Sequence, residues 1–261
     1  MSQGQTTKPV ARAAAELLVI AVGVLIALAA DRWLLAQDEA GLEQEYLSRL
    51  ASDLRRDSAT QSLRAEHARA TYDRADRLLA AIREGSEVVE DPARLLTEIP
   101  WIFLYQYRID YATETWDELG STGRLDLLRA SEFRRMLGEY HGWIEFYGDI
   151  EDWWLNARDQ WSQVTRAALP PELLVHSEVQ FHLPFIEESN IDGVPGLDVN
   201  PERDVATLDS VLTRLRSDPM ALPALSEVLM NSVHQVLIYE DLVQRSTGLL
   251  HLLDTMNSEA Q

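Results

Sequence analysis

The chain has 261 residues, 43 acidic against 23 basic side chains and a formal net charge of −20. This charge argues against a nucleic-acid partner, because no stripe of Lys and Arg is available to neutralise phosphates. The sequence has no cysteine, which excludes disulfides, thiolate metal sites and a cysteine nucleophile. The length is sufficient for one sizeable hydrophobic core or two small ones.

An apolar run at residues 17–30 is the first distinct element of the chain. A helix that spans a bilayer needs about 20 mainly apolar residues, and the run reaches that length when its edges are included. Lys8 and Arg12 precede it, and Trp33 follows it as an interfacial anchor. The sequence therefore predicts a transmembrane helix at 13–35, with the lipid bilayer as its partner.

Two other interpretations of this run stay open. In one, residues 17–26 are the apolar region of a cleaved secretory signal, with Ala27-Leu28-Ala29 as the processing site. The uncleaved anchor is favoured because the amphipathic pattern resumes at Leu34 without turn-forming residues. In the other, the run is a buried core helix, which is disfavoured because it is apolar all round.

Basic residues near the run predict its orientation, since the cytoplasmic side carries the excess of Lys and Arg. Lys8 and Arg12, with the α-amino group, slightly outweigh Arg32 and Arg49 on the other side. The predicted organisation is a short cytoplasmic tail at 1–12, a single-pass anchor in a bacterial inner membrane at 13–35, and a periplasmic helical domain at 36–261.

Beyond residue 34 the apolar positions recur every three or four residues as far as Ile82, which predicts helix. A polar segment at 55–58 interrupts them, so the pattern fits one long helix, continuous with the anchor, or two helices broken near Ser58. The predicted stop and restart signals are a C-cap at Gly85, an N-cap at Asp91 and Pro92 in the first turn.

The segment at 131–169 has large apolar and aromatic side chains at a steady spacing of three and four, which is typical of a bundle or coiled coil. These positions are Phe133, Met136, Tyr140, Trp143, Tyr147, Ile150, Trp154, Ala157, Trp161 and Val164. The favoured interpretation is an aromatic bundle core. The alternative is a ligand or partner groove, with candidate binding residues Trp143, Tyr147, Trp154 and Trp161.

Helical periodicity is lost at 171–201, where Pro, Gly and Asn recur. Long irregular connections are often functional, so this segment is a candidate lid, although a simple crossover is favoured. Helical patterns return at 205–215 and 225–253, with Pro219 and Pro223 as the interruption between them.

Catalytic patterns are sparse. No histidine forms the i, i+4 pair with a helical glutamate that hydrolytic zinc sites use, and there is no G-x-S-x-G elbow. We therefore expect no metal and no cofactor. The alternative is a membrane-anchored metal-dependent hydrolase, in which His176 and His182, near Glu187 and Glu188, bind the metal.

Other titratable residues are expected to have structural roles. The acidic residues Glu145, Asp149, Glu151 and Asp152 fit the solvated face of a long helix better than a carboxylate site. His141 is expected to be a packed or exposed histidine and not a base.

The sequence at 115–128, TWDELGSTGRLDLL, resembles the hallmark of an uncharacterised family of bacterial single-pass membrane proteins, a domain of unknown function. The run at 16–28 and the segment EQEYL at 43–47 are similar to the same family. The resemblance covers 13–57 and 110–150. At 29–33 this chain departs from its relatives, which have an amide-rich stretch before the tryptophan. The resemblance implies an anchored helical domain and no established reaction.

The same segment has a physical interpretation as a structural corner. Residues 113–119 are predicted to form a helix with Trp116 and Leu119 facing inward, Gly120 as its C-cap, and Gly123 at positive φ. The leucines that follow, Leu125, Leu127 and Leu128, are then placed against the bundle. No lysine follows the glycines, so a phosphate-binding loop is not predicted.

Together these patterns predict an all-α protein, with an N-terminal transmembrane helix followed by an antiparallel bundle of long helices. The predicted function is an interaction, sensory or accessory subunit without catalytic activity. It would present the helix at 131–169 and the segment at 171–201 to a small ligand, a protein partner or a second copy of itself.

Overall fold

The computed structural model describes residues 7–104, 111–174 and 201–259, although a few side chains there, among them those of 7–17, 19 and 20, lie outside the description. All regular elements in these ranges are helical, as predicted. They include α1 (Thr7–Glu84), α2 (Pro92–Leu104), α3 (Glu114–Ser121), α4 (Ser131–Ala168), α5 (Pro201–Ser217) and α6 (Ala221–Glu259), with short 3₁₀ turns at Ser86–Val88 and Leu125–Leu127.

Helix α1 is a single helix of 78 residues, about 117 Å long at the usual rise per residue. It has no break at Ser58, so the interpretation as two helices is wrong. The polar segment keeps the helical period because Asp57 points inward, where it is buried, whereas Arg55 and Arg56 stay exposed. The side chains at 21–41 are all exposed, and full burial begins at Tyr46.

No helix offers a stretch both long and apolar enough to cross a bilayer among the side chains that the structure describes. The predicted span at 13–35 falls partly outside those side chains, since 13–17, 19 and 20 are not among them.

Two apolar clusters form the core of the domain. The first cluster joins 46–54 of α1, 133–147 of α4 and 242–253 of α6. The second cluster joins 75–82 of α1, 161–168 of α4 and 221–228 of α6, together with residues of α2 and α5. Helices α1 and α4 therefore run parallel, and α6 is antiparallel to both. The predicted antiparallel arrangement fails for α4, because the segment after α1 returns the chain to the first cluster before α4 begins.

A polar layer separates the two apolar clusters. It contains Asp57, Gln61 and Thr71 of α1, Glu151 of α4 and Gln235 of α6, all at most 6% exposed. A small apolar cluster of Ala65, Trp154 and Tyr239 lies between the two larger clusters. Buried polar groups weaken a core unless they are satisfied, so the layer is the part of the bundle that packing alone does not explain.

The predicted helix ends are mostly correct. Gly85 follows α1 at a φ of 110°, and the Asp91 carboxylate accepts a hydrogen bond from the Arg94 backbone N–H at 2.9 Å, as an N-cap does. Pro219 lies between α5 and α6 as predicted, but Pro223 lies in the first turn of α6, where a missing N–H is tolerated.

The corner at 113–128 differs from the prediction in one residue. Helix α3 continues past Gly120 to Ser121, so Gly120 is not its C-cap. Gly123, at a φ of 66°, is the left-handed residue. The Arg124 N–H donates to Leu119 O at 2.9 Å, and the Gly123 N–H donates to Gly120 O at 3.2 Å, which is a Schellman motif. Leu128 is buried, and Leu125 and Leu127 pack against the first cluster, as predicted.

Candidate functional site

The aromatic side chains of α4 divide between two faces. Phe133, Tyr140, Trp154 and Trp161 are at most 3% exposed and belong to the core. Trp143, Phe146 and Trp153 are exposed, at 37–52%. The prediction that the side chains spaced by three and four all face the core is therefore wrong at Trp143. The neighbouring Ile144 faces the core instead.

The exposed aromatic residues make contacts along the helix surface. The Trp143 ring stacks on Tyr147 at 5.5 Å between centroids, and the Arg245 guanidinium lies 5.0 Å from the Trp143 ring, within the range of a cation–π contact. The Trp153 ring lies 6.4 Å from His234 of α6. Of the predicted binding residues, Trp143 thus lies at the surface, whereas Tyr147, Trp154 and Trp161 are buried.

Asp57 organises one end of the polar layer. Its carboxylate accepts hydrogen bonds from the Tyr140 hydroxyl at 3.0 Å and from the Ala112 backbone N–H at 2.8 Å. Burial raises the pKa of Asp57, and the two hydrogen bonds oppose that rise. Burial also raises the pKa of Tyr140, which keeps its hydroxyl protonated as the donor.

A cavity of about 270 Å³ opens in the polar layer between α1, α4 and α6. We call it the polar cavity; its polar lining includes Arg64, His67, Glu151, Trp154, Gln235 and Tyr239. Leu63 at its rim is exposed, so the polar cavity is open to solvent. It combines a cation, a carboxylate and two aromatic rings around one cavity.

The charges around the polar cavity influence one another. Burial raises the pKa of Tyr239; the Arg64 guanidinium opposes this rise and Glu151 adds to it. Burial lowers the pKa of His67, and Arg74 lowers it further, so His67 is neutral at pH 7. Arg64 and Glu151 therefore provide the charge of the polar cavity, one positive and one negative.

The indole N–H of Trp154 has no hydrogen-bond acceptor among the described residues, although the side chain is only 3% exposed. The ring meets Tyr239 edge to face, with 6.2 Å between centroids. An unsatisfied buried donor costs roughly 1–3 kcal/mol. Because Trp154 lines the polar cavity, a ligand could supply the missing acceptor.

The predicted titratable residues have mixed outcomes. Glu145 and Asp149 are exposed as expected, but Glu151 is buried, so its place on a solvated face is wrong. His141 is packed, as one of the two expected states: its ring stacks on Trp116 at 4.7 Å, and burial lowers its pKa to about 4.

His176 and His182 lie outside the described residues, as do Glu187 and Glu188. Within 7–104, 111–174 and 201–259, no group of three or more His, Asp or Glu side chains is arranged to hold a metal ion. The candidate metal site in the 171–201 segment therefore stays a prediction.

Arg64, Gln235 and Tyr239 of the polar cavity were not predicted from the sequence. The sequence of α1 does indicate part of this polar region, because Asp57, Gln61 and Arg64 follow one another at helical spacings of four and three. Polar residues at the inward positions of an amphipathic helix indicate a polar core layer.

Comparison of the chain with known protein families, with curated proteins and with solved structures returned no match. The resemblance of 13–57 and 110–150 to a family of single-pass membrane proteins therefore stays a prediction.

Proposed function

We propose that this protein is a membrane-anchored sensory subunit, within the broader class of interaction or accessory subunits, and has no catalytic activity of its own. Residues 13–35 form a single-pass anchor in a bacterial inner membrane, with the N-terminal tail in the cytoplasm and the helical domain in the periplasm. Its partners are the lipid bilayer and a protein that receives the signal, either a second copy or another chain.

The continuity of α1 is the observation that carries this proposal. Leu18, Leu25 and Ile26 are 64–65% exposed, whereas Gln61 of the same helix is fully buried in the domain. Soluble proteins rarely expose contiguous apolar patches larger than a few hundred Å². Lipid would cover these side chains and remove the cost of their exposure to water.

A sensory role is favoured over a purely accessory one because α1 also forms a wall of the polar cavity. The same helix thus joins the exposed apolar segment to the site where a ligand could bind. A ligand that changed the packing of α1 against α4 and α6 would displace a rigid element, which is a known route of signal transmission between distant sites.

Fractionation of the full-length protein tests the anchor. We expect it to remain in membranes after high-salt and carbonate washes, because salt does not screen the burial of apolar surface. Replacing Leu25 and Leu28 with arginine should release it. Arginine at Leu222 and Leu237, which are exposed on α6, is the matched control and should leave it bound.

A reporter fused to Gln261 tests the orientation. One that works only outside the cytoplasm should be active, and activity of a cytoplasm-only reporter would contradict the proposed side.

Recovery of a shortened soluble form that starts near Ala30 would establish a cleaved signal instead. Stoichiometric zinc or manganese, lost when His176 and His182 are both changed to alanine, would favour the hydrolase.

A further inference from the structure

Arg64 is the cation of the polar cavity, and it has no ion-pair partner among the described residues. Other arginines do pair: Arg49 with Glu118, and Arg245 with Asp241 at 2.6 Å. Arg64 is instead close to the Tyr239 hydroxyl in the same wall, where it opposes the rise in the pKa of Tyr239. Its guanidinium is a planar fork of N–H donors that matches a carboxylate, so the polar cavity has a place for one.

Two further donors lie in the same wall. The Trp154 indole N–H lacks an acceptor, and the side chain of Gln235, which carries an amide donor, is only 5% exposed and lines the polar cavity. Both belong to helices other than that of Arg64, so α4, α6 and α1 each contribute one of these three side chains to the lining of the polar cavity. A bound carboxylate could accept from all three.

Glu151 gives the polar cavity a second charge of opposite sign. Its carboxylate can accept several hydrogen bonds, so an existing partner leaves capacity for a ligand ammonium group. A simple anion would be repelled by Glu151, and a simple amine by Arg64. A ligand that has both charges satisfies both residues, and Ala68 and Leu155 supply apolar wall for its body.

We propose that the polar cavity binds a small zwitterion, an α-amino acid with an apolar side chain. Its carboxylate lies against Arg64, Trp154 and Gln235, and its ammonium lies toward Glu151. The volume of about 270 Å³ is just below the usual range for drug-sized ligands of about 300–1,000 Å³, which agrees with a ligand of this size. This inference rests on the proposed function, since it names the input of the sensory subunit.

Binding to the full-length protein in lipid nanodiscs tests the proposal. The probes are glycine, L-alanine, L-valine, L-leucine and L-methionine, measured by calorimetry and by tryptophan emission. We expect saturable binding of at least one apolar member. The matched analogues of L-leucine, 4-methylpentanoate without the ammonium group and 3-methylbutylamine without the carboxylate, should each bind at least about tenfold more weakly, a loss of about 1.4 kcal/mol.

Variants test the assignment of the two charges. Arg64→Gln and Glu151→Gln should each weaken binding at least about tenfold, with circular dichroism to confirm that the fold is intact. Arg55→Gln removes the same charge from an exposed position of α1 and should leave binding unchanged. If Glu151→Gln fails to fold, Arg64→Gln and the two analogues still decide the question.

The outcomes separate this inference from the proposed function. Membrane-bound protein that binds none of the five amino acids, or binds 4-methylpentanoate as tightly as L-leucine, would overturn the ligand class alone. Amino-acid binding by a protein that carbonate releases from membranes would support the ligand class and overturn the anchor.

Discussion

The carboxylate of Asp57 on α1 accepts a hydrogen bond from the Tyr140 hydroxyl on α4 across 3.0 Å. This bond joins two parallel helices at the polar layer. The same carboxylate also accepts a hydrogen bond from the Ala112 N–H, which holds the segment before α3 against α1. Asp57 is 2% exposed, and burial raises its pKa above the ordinary value of 3.8. The junction thus depends on a carboxylate whose charge burial disfavours.

Substitutions of Asp57 should distinguish the contribution of its hydrogen bonds to stability from the contribution of its charge. Asp57→Ala should lower the free energy of unfolding by roughly 2–4 kcal/mol, because it leaves the Tyr140 hydroxyl and the Ala112 N–H without their acceptor. Asp57→Asn should cost less, since the amide can still bond. Chemical denaturation of detergent-solubilised protein, followed by circular dichroism, measures both. Equal losses would contradict this account of the hydrogen bonds.

The raised pKa of Asp57 also predicts a pH dependence. As pH rises past 3.8, the unfolded state releases its proton before the folded state does, so wild-type protein loses stability relative to Asp57→Asn until the pH exceeds the raised pKa. Above that pH the difference between the two proteins should be constant. A wild-type advantage that grows with pH across this window would show that the folded-state pKa is lowered.

Two tryptophans of α4 should respond differently to truncation. Trp161→Ala should destabilise the domain by roughly 3–5 kcal/mol, as large aromatic deletions in packed cores do, since Trp161 is fully buried. Trp153→Ala, at a side chain that is 45% exposed, should cost about 1 kcal/mol or less. Melting temperatures of the two variants measure the contrast, and similar losses would contradict the division of the aromatic residues between two faces.

Helix α4 also shows how far the sequence predicts this fold. The spacing of three and four correctly predicts a long helix that starts at Ser131. It does not predict that Trp143 faces out and Ile144 faces in, because aromatic side chains lie on both flanks of a wide apolar face. The spacing of apolar residues is the same for a helix that runs in either direction, so it cannot show that α4 runs parallel to α1.

The polar cavity was less predictable than the helices. The inward spacing of Asp57, Gln61 and Arg64 indicates a polar layer, but Glu151 and Gln235 come from distant parts of the chain. Only the register of α1, α4 and α6 places them together. That register is determined by the packing of the two apolar clusters, which a single sequence does not specify.

The two glycines of the corner should respond to alanine with opposite signs. Gly123→Ala forces a Cβ onto a residue at a φ of 66°, and we expect a loss of about 1 kcal/mol. Gly120→Ala should be neutral or stabilise by up to about 1 kcal/mol, because Gly120 lies inside α3 and nothing is within 4 Å of an added Cβ. Unfolding free energies test this, and a loss confined to Gly120→Ala would restore Gly120 as the capping residue.

His141 should make the domain acid-sensitive. Its pKa is lowered from 6.5 to about 4 because burial disfavours the charged ring, so the unfolded state binds the proton first as the pH falls. The contribution of His141 to the free energy of unfolding is then fully present above pH 6.5 and is lost toward pH 4, by up to roughly 3 kcal/mol. His141→Phe should remove this part of the pH dependence, and an unchanged pH profile would contradict the assignment.

The absence of cysteine allows one direct test of the anchor. Gly23 and Gly41 both belong to α1, both are exposed, and nothing lies within 4 Å of a Cβ added at either. They are therefore a matched pair for single-cysteine labelling of the full-length protein in intact membranes. Gly23 lies inside the proposed span at 13–35, and Gly41 lies outside it.

The decisive measurement is the rate at which a water-soluble maleimide modifies Gly23→Cys relative to Gly41→Cys, before and after the membranes are dissolved in denaturing detergent. The proposed anchor predicts rapid labelling of Gly41→Cys in intact membranes and protection of Gly23→Cys until the lipid is removed, because thiols in hydrocarbon are inaccessible to water and stay protonated. Equal labelling of both cysteines in intact membranes would show that α1 faces water at Gly23 and would contradict the membrane anchor.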